Sequence, residues 1–164
     1  MLRHDDKPMK RIVIATDGSA SAVDAVAFGL ALAREQHAAV AFAHVVPRYE
    51  VAPVHAFAMS GLRAHKVSEA DREPLERAVA SAESSGVRAT TELLVGDPAN
   101  EIVAYADSVH ADVIVVGSRG HGAIAGAFLG SVSRGVLREA RRPVLVVPCA
   151  AQREHASPVE RRRS

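Results

Sequence analysis

Residues 113–137 read VIVVGSRGHGAIAGAFLGSVSRGVL: an aliphatic run, a glycine-rich passage, and a stretch with helical spacing. Apolar side chains at successive positions of so short a run suit a strand covered on both faces. SVSRGVLREA (131–140) suits a helix. Between them stand five glycines, Gly117, Gly120, Gly122, Gly126 and Gly130. Strand, bare loop, helix is the repeating unit of a parallel sheet, and the rest of the chain parses in the same way.

RIVIATD (11–17) is a second β-branched run, stopped by Gly18 and Ser19. Val23, Val26, Ala27 and Leu30 then recur at helical spacing, with Ser19 or Ser21 as the cap. AAVAFAHVV (38–46) predicts a strand ended by Pro47, and residues 47–65 predict a long irregular connection. Helical spacing returns at Leu75, Ala78, Val79 and Ala82, with Pro74 opening or kinking that helix. VRATTELLVG (87–96) alternates as a half-exposed edge strand does. In DPANEIVAYADSVH (97–110), Asp97 is the expected N-cap, Pro98 lies in the first turn, and Ile102, Tyr105, Ala106 and Val109 form the buried stripe. PVLVVP (143–148) is the last strand. Alternating β and α elements predict an α/β fold, an open parallel five-stranded sheet with helices on both faces.

Composition narrows the classes. With 164 residues, 48% of them hydrophobic, the chain reads as one globular domain. Twenty Lys plus Arg against nineteen Asp plus Glu give no general attraction to nucleic acid or anionic membrane. One cysteine, Cys149, excludes an internal disulfide framework and a CxxC site, and predicts an inert thiol in a reducing compartment. No apolar run has the length of a membrane span and no signal peptide is visible, so a cytoplasmic location is expected. Residues 1–9 read as a flexible leader, 10–149 as the domain, and 150–164 as a basic tail ending in Arg161–Arg163.

In an open α/β sheet, ligands sit beyond the carboxyl ends of the strands where the strand order reverses. Two strand ends here carry unusual residues, ATDGS (15–19) and VVGSRGHG (115–122). Glycines at 117, 120 and 130 would let main-chain N–H groups approach a phosphate. Gly130 and Ser131 open a helix whose first amides lack partners and favour an anion, and the Ser131 and Ser133 hydroxyls can add donors. Ile124 and Phe128 can anchor the loop to the core. Composition alone fits tight turns equally well. Asp17 beside a phosphate chain would be repelled, so it suits ribose hydroxyls, or else a helix cap. Arg119 and His121 can reach phosphate oxygens or point to solvent, and His44 reads as a strand-end packing residue rather than a base. There is no GxxxxGK[ST] and no GxGxxG after the first strand.

The arrangement Gly117-Ser-Arg-Gly120, nine residues, then Gly130-Ser131 resembles the G-x2-G-x9-G-[ST] signature of the ATP-binding branch of the universal stress protein family. IVIATDGSASAVDA, AHVV, GDPANEI and RRPVLVVP extend the resemblance from Lys10 to Cys149. The resemblance implies a Rossmann-like domain with strand order 3-2-1-4-5, usually dimeric, that binds ATP with Mg²⁺ or Mn²⁺ held through the phosphates. It implies that Gly117, Gly120, Gly130, Ser131, Val132 and Ser133 cradle the phosphates and that Asp17 contacts the nucleoside. Ala15 and Thr16 would line the base site, with Val45 and Val116 near adenine. Position 15 is often proline in this family, and main-chain contacts should survive the change to alanine. No catalytic residue and no protein ligand for a metal is expected.

An all-apolar VLVV strand at a sheet edge needs cover. A homodimer through Pro143–Pro148 is therefore expected, in keeping with the family habit. Phosphate cradling without an evident base points to a regulatory module that couples nucleotide to partner binding, ahead of a slow ATPase or phosphotransferase, or a scaffold with a vestigial pocket.

Overall fold

The computed structural model describes residues 9–51, 62–64, 66–121 and 129–149. Five strands form one parallel sheet: β1 (Arg11–Ala15), β2 (Ala39–Val46), β5 (Ala89–Val95), β6 (Val113–Gly117) and β7 (Val144–Val147). Their spatial order is β5-β2-β1-β6-β7, which is 3-2-1-4-5 when only the strands of this sheet are numbered. The connection read as irregular contains a small antiparallel pair, β3 (Tyr49–Val51) with β4 (Leu62–Ala64). Three-residue strands carry too few positions to show a period.

Helices α1 (Ala20–Gln36) and α2 (Glu73–Ser84) cover one face of the sheet; a 3-10 turn at Glu69–Arg72 leads into α2. Ile12, Ile14, Val40, Phe42 and Val115 from the strands pack there against Ala25, Leu30, Leu75 and Ala78. Helices α3 (Pro98–Ser108) and α4 (Ser131–Glu139) cover the other face, over Val13, Ala41, Ala43, Ile114 and Val116. Small side chains dominate this second layer. A Cβ at Gly135 would lie 2.5 Å from the Ala99 methyl, so α3 and α4 touch nearly backbone to backbone. Met9, read as the end of the leader, is half-buried against the first layer.

The first helix is rotated from the simplest reading of its spacing. Its buried positions are Ser21, Ala22, Ala25, Val26, Gly29, Leu30 and Ala33, while Val23 is 54% exposed and Ala27 is exposed as well. Ser19 is the N-cap, its Oγ accepting from the Ala22 amide at 3.3 Å. Asp97 caps α3 as expected, accepting from the Asn100 amide at 3.1 Å, with Pro98 at the first helical position. Asp97→Ala should lower unfolding free energy by about 1 kcal/mol, since an N-cap acceptor is worth roughly 0.5–2 kcal/mol. Urea denaturation checks this; an unchanged midpoint would show that the bond contributes nothing.

Two helix ends adopt the left-handed conformation without glycine, His37 after α1 and His110 after α3, each at φ 53°. Both lie at the amino end of the sheet, opposite the crevice described next. There the Asp112 carboxylate accepts from the amides of Lys10 (2.7 Å) and Arg11 (2.9 Å), fixing β1 against the start of β6.

Candidate functional site

All five strands of the sheet end on the same side. β1 is central, with β2 leaving toward one edge and β6 toward the other, so a crevice opens beyond its carboxyl end. A cavity of about 440 Å³ occupies it, inside the range of small-molecule sites. Ala15, Thr16 and Asp17 enter from β1, Val45 from β2, and Val116 and Gly117 from β6. Arg119 and Gly120 enter from the following loop, and Gly130, Ser131, Val132 and Ser133 from the start of α4. The twelve residues singled out in the sequence thus share one cavity. Ala22, Ala43, His44, Pro47, Pro98, Ile102 and His121 complete its described lining.

Side chains stitch the loop to β1 across the crevice mouth. Asp17 Oδ1 accepts from the Ser19 amide at 2.9 Å and Oδ2 from the His121 amide at 3.3 Å. His121 Nε2–H donates to the Asp17 carbonyl at 2.9 Å. Because Ser19 supplies the cap of α1, Asp17 is not the capping residue, and its carboxylate faces the cavity edge. His44 Nδ1–H donates to the Thr16 carbonyl at 2.8 Å, a tie between the ends of β2 and β1 consistent with a strand-end packing residue.

The glycines of the spacing pattern have separate causes. Gly117 is bare because β6 runs against the start of α1: a Cβ there would sit 2.7 Å from Ser21 main-chain and hydroxyl atoms. A Cβ at Gly120 would lie 2.7 Å from Asp17 Oδ2, the tip of a side chain. Gly130 has no such obstacle. Its φ is −70°, and a Cβ would come no closer than 3.4 Å to any neighbour, an ordinary contact. Main-chain packing therefore accounts for Gly117, expected from the sequence to admit a phosphate, while Gly120 stands against a side-chain tip that can turn aside. Gly122, Gly126, Ile124 and Phe128 lie outside the described residues.

Ser133 requires a correction. Its hydroxyl was expected to donate to a phosphate, but it donates to the Gly117 carbonyl at 2.8 Å, with the Ser118 carbonyl at 3.2 Å, and the residue is 3% exposed. A hydroxyl has a single proton, so Ser133 can offer the cavity only its amide. Its work is to fasten α4 to β6, helped by Gly130 N–H donating to Ser118 O at 2.7 Å. The Ser131, Val132 and Ser133 amides form the first turn of α4, where no intrahelical acceptor exists. Ser131 is exposed at this turn.

Of the ionisable side chains in the described lining, Arg119 carries the fixed positive charge and Asp17 the carboxylate, with His44 and His121 beside them. Among the described residues no group of three or more His, Cys, Asp or Glu side chains could hold a metal, and no helix is long and apolar enough to cross a membrane. The Ile102 contribution was legible only as a core position and those of Ala22 and Ala43 were not singled out, since nothing in a sequence tells a core side chain from one that floors a cavity.

Universal stress protein MJ0531 of Methanocaldococcus jannaschii is 37% identical over 150 residues, covering 90% of this chain and 86% of that protein. The solved structure of MJ0577 from the same organism superposes with a TM-score of 0.69 at 26% identity, over 87% of this chain and 97% of that one. A universal stress protein crystallised in complex with cyclic AMP superposes with a TM-score of 0.62 at 29% identity, over 86% and 98% of the two chains. Residues 8–148 match the model of the universal stress protein family, and the chain belongs to that family.

Proposed function

We propose that the crevice is an adenine-nucleotide site and that the protein is a regulatory module, one in which ATP occupancy biases partner binding or self-assembly. The observation that carries this reading is the meeting of the β1, β2 and β6 ends with the open first turn of α4 in one cavity. Cyclic AMP in the related structure supports the adenylate class. Ala15, Val45 and Val116, with Thr16 between Ala15 and Asp17, give the cavity a largely apolar flank suited to a base. Asp17, already oriented by the Ser19 and His121 amides, keeps lone pairs free to accept from ribose hydroxyls. The Ser131, Val132 and Ser133 amides, with Gly120 and Arg119 beside Gly130, suit the phosphates. Gly130, the motif glycine with no internal reason to be bare, is free to admit a close ligand. Mg²⁺ or Mn²⁺ would come on the phosphates, which supply its oxygen ligands.

Isothermal titration with ATP, AMP and cyclic AMP tests the reading. One site per chain, with a Kd at or below roughly 100 μM for at least ATP, is expected, corresponding to about 5.5 kcal/mol or more. No heat with any of the three ligands, in protein shown by denaturation to carry no nucleotide, would overturn it. Turnover should be far below the ~1 s⁻¹ at the low end for enzymes, because both lining histidines are tied to main-chain carbonyls. A multiple-turnover phosphate-release assay measures this directly, and a rate near that value would make the protein an ATPase instead. The protein is further proposed to act as a homodimer joined through β7, an outer strand with a single neighbour in the sheet.

A further inference from the structure

A second concavity, of about 330 Å³, lies on the opposite face of the β1 end, between α1 and α2. Val23, Ala27 and Ala31, exposed at successive turns of α1, make its surface apolar above the buried Val26, Leu30 and Ala78, and Val23 is 54% exposed. From Val23 to Arg34 along α1 the trough runs roughly 16 Å at the α-helical rise, about three turns. Its charges are sorted by sign. Helices α1 and α2 carry five acidic residues, Asp24, Glu35, Glu73, Glu76 and Glu83, and two basic ones, Arg34 and Arg77. Both arginines line the trough and none of the five acids does. Arg77 stands near the mouth, where a Cβ on Gly18 would come 3.1 Å from its Nη2, and Arg34 is in the last turn of α1. Arg77 also meets Glu73 at 3.5 Å, but both side chains are about 60% exposed, and an exposed pair of this kind is worth only ~0.3–0.5 kcal/mol.

An apolar floor three turns long with a cation toward each end complements one shape in particular. We infer that the α1–α2 trough docks an amphipathic helix of another protein, with apolar side chains at i, i+4 and i+7 and an acidic residue flanking the stripe at each end. Thr16, 6% exposed, lines both cavities and so stands between the trough and the crevice. The inference does not rest on the nucleotide reading, because the trough has its apolar floor and its arginines whatever the crevice holds. The basic tail in the sequence, Arg161–Arg163, has the wrong sign to be the guest.

The full chain carrying the photoreactive amino acid p-benzoylphenylalanine in place of Ala27 tests this, with the same probe in place of Glu83, off the trough, as reference. After irradiation in the cells of origin, trapped peptides are mapped by mass spectrometry. Expected are crosslinks from position 27, at least fivefold above those from position 83, to a segment with that acid-flanked helical pattern. The paired changes Arg34→Glu and Arg77→Glu should cut the yield at least fivefold without altering the thermal midpoint by more than a few degrees. A synthetic peptide of the mapped segment should then bind the purified protein in fluorescence anisotropy, more weakly as salt is raised. Crosslinks no greater than at position 83, a basic or non-helical mapped segment, a crosslink to this same chain, or yields indifferent to the charge reversals would each overturn the inference.

Discussion

Gly120→Glu is expected to abolish measurable heat on titration with ATP, AMP or cyclic AMP, at concentrations that saturate the unaltered protein. Two effects add. The new Cβ would lie 2.7 Å from Asp17 Oδ2, so Asp17 must turn away from the position fixed by the Ser19 and His121 amides. The new carboxylate also adds a negative charge at a residue that lines the crevice, next to Gly130 where the phosphates are proposed to lie. Two like charges about 4 Å apart near a protein surface repel by about 4 kcal/mol before screening. Allowing for salt, a loss of at least ~2.7 kcal/mol, about a hundredfold in Kd, is the expected floor. The fold should survive, because residue 120 lies in a partly exposed loop and not in the packed layers. Gly130→Ala separates the two effects. It adds no charge and meets no atom closer than 3.4 Å, so weakened binding there reports on the guest alone. If Gly120→Glu binds ATP within tenfold of the unaltered protein, the phosphates lie somewhere other than the β6–α4 loop.

The sheet was legible because each of its strands is a short aliphatic or alternating run bounded by glycine, proline or a cap, and because helical spacing recurs between successive strands. That pattern predicts a parallel sheet, and the resemblance of its motifs supplied the strand order that the structure shows. The edge position of residues 89–95 was legible too, but the alternation breaks at Thr91, which shares a side with Ala89 and Leu93 by period yet is exposed like Thr90 and Glu92. The reasons behind the glycines were not. Gly117 answers to Ser21 and Gly120 faces Asp17, each about a hundred positions away, and neither partner can be guessed from the local spacing. Ser133 illustrates the same limit. A serine at a helix start looks like a donor to a ligand until the carbonyls of 117 and 118 are seen to take its proton. The trough between α1 and α2 was hidden for a different reason: Val23 and Ala27 obey helical periodicity, and periodicity alone does not say which side of the stripe the sheet covers.

Val146→Lys should convert a homodimer into monomers, read as a halved mass in sedimentation equilibrium. Among the described residues β7 pairs with β6 alone, and two hydrogen bonds fix which of its main-chain groups are used: Ile114 N–H donates to Pro143 O and Ser118 N–H to Val147 O. In a parallel ladder the bonding direction alternates, so Val144 and Val146 turn their N–H and C=O outward. Pro148 has no N–H to continue the row, and the free edge is therefore short and centred on these two valines. Beside it, Leu145 and Leu32 pack in the same layer, and Phe28, one turn before Leu32 on α1, is 48% exposed. An apolar edge of this kind with no charge of its own is what a second copy can cover. An isologous contact places each substitution in the interface twice. Two lysines, each costing roughly 1.4 kcal/mol or more to bury or divert, would weaken association about a hundredfold. The Val146 side chain is half-buried against the α3–α4 layer, so the variant's thermal midpoint must be measured beside its mass. Folded monomers would support the β7 interface. A folded dimer of unchanged affinity would move the contact elsewhere, and an unaltered protein that is monomeric at micromolar concentration would remove the dimer altogether.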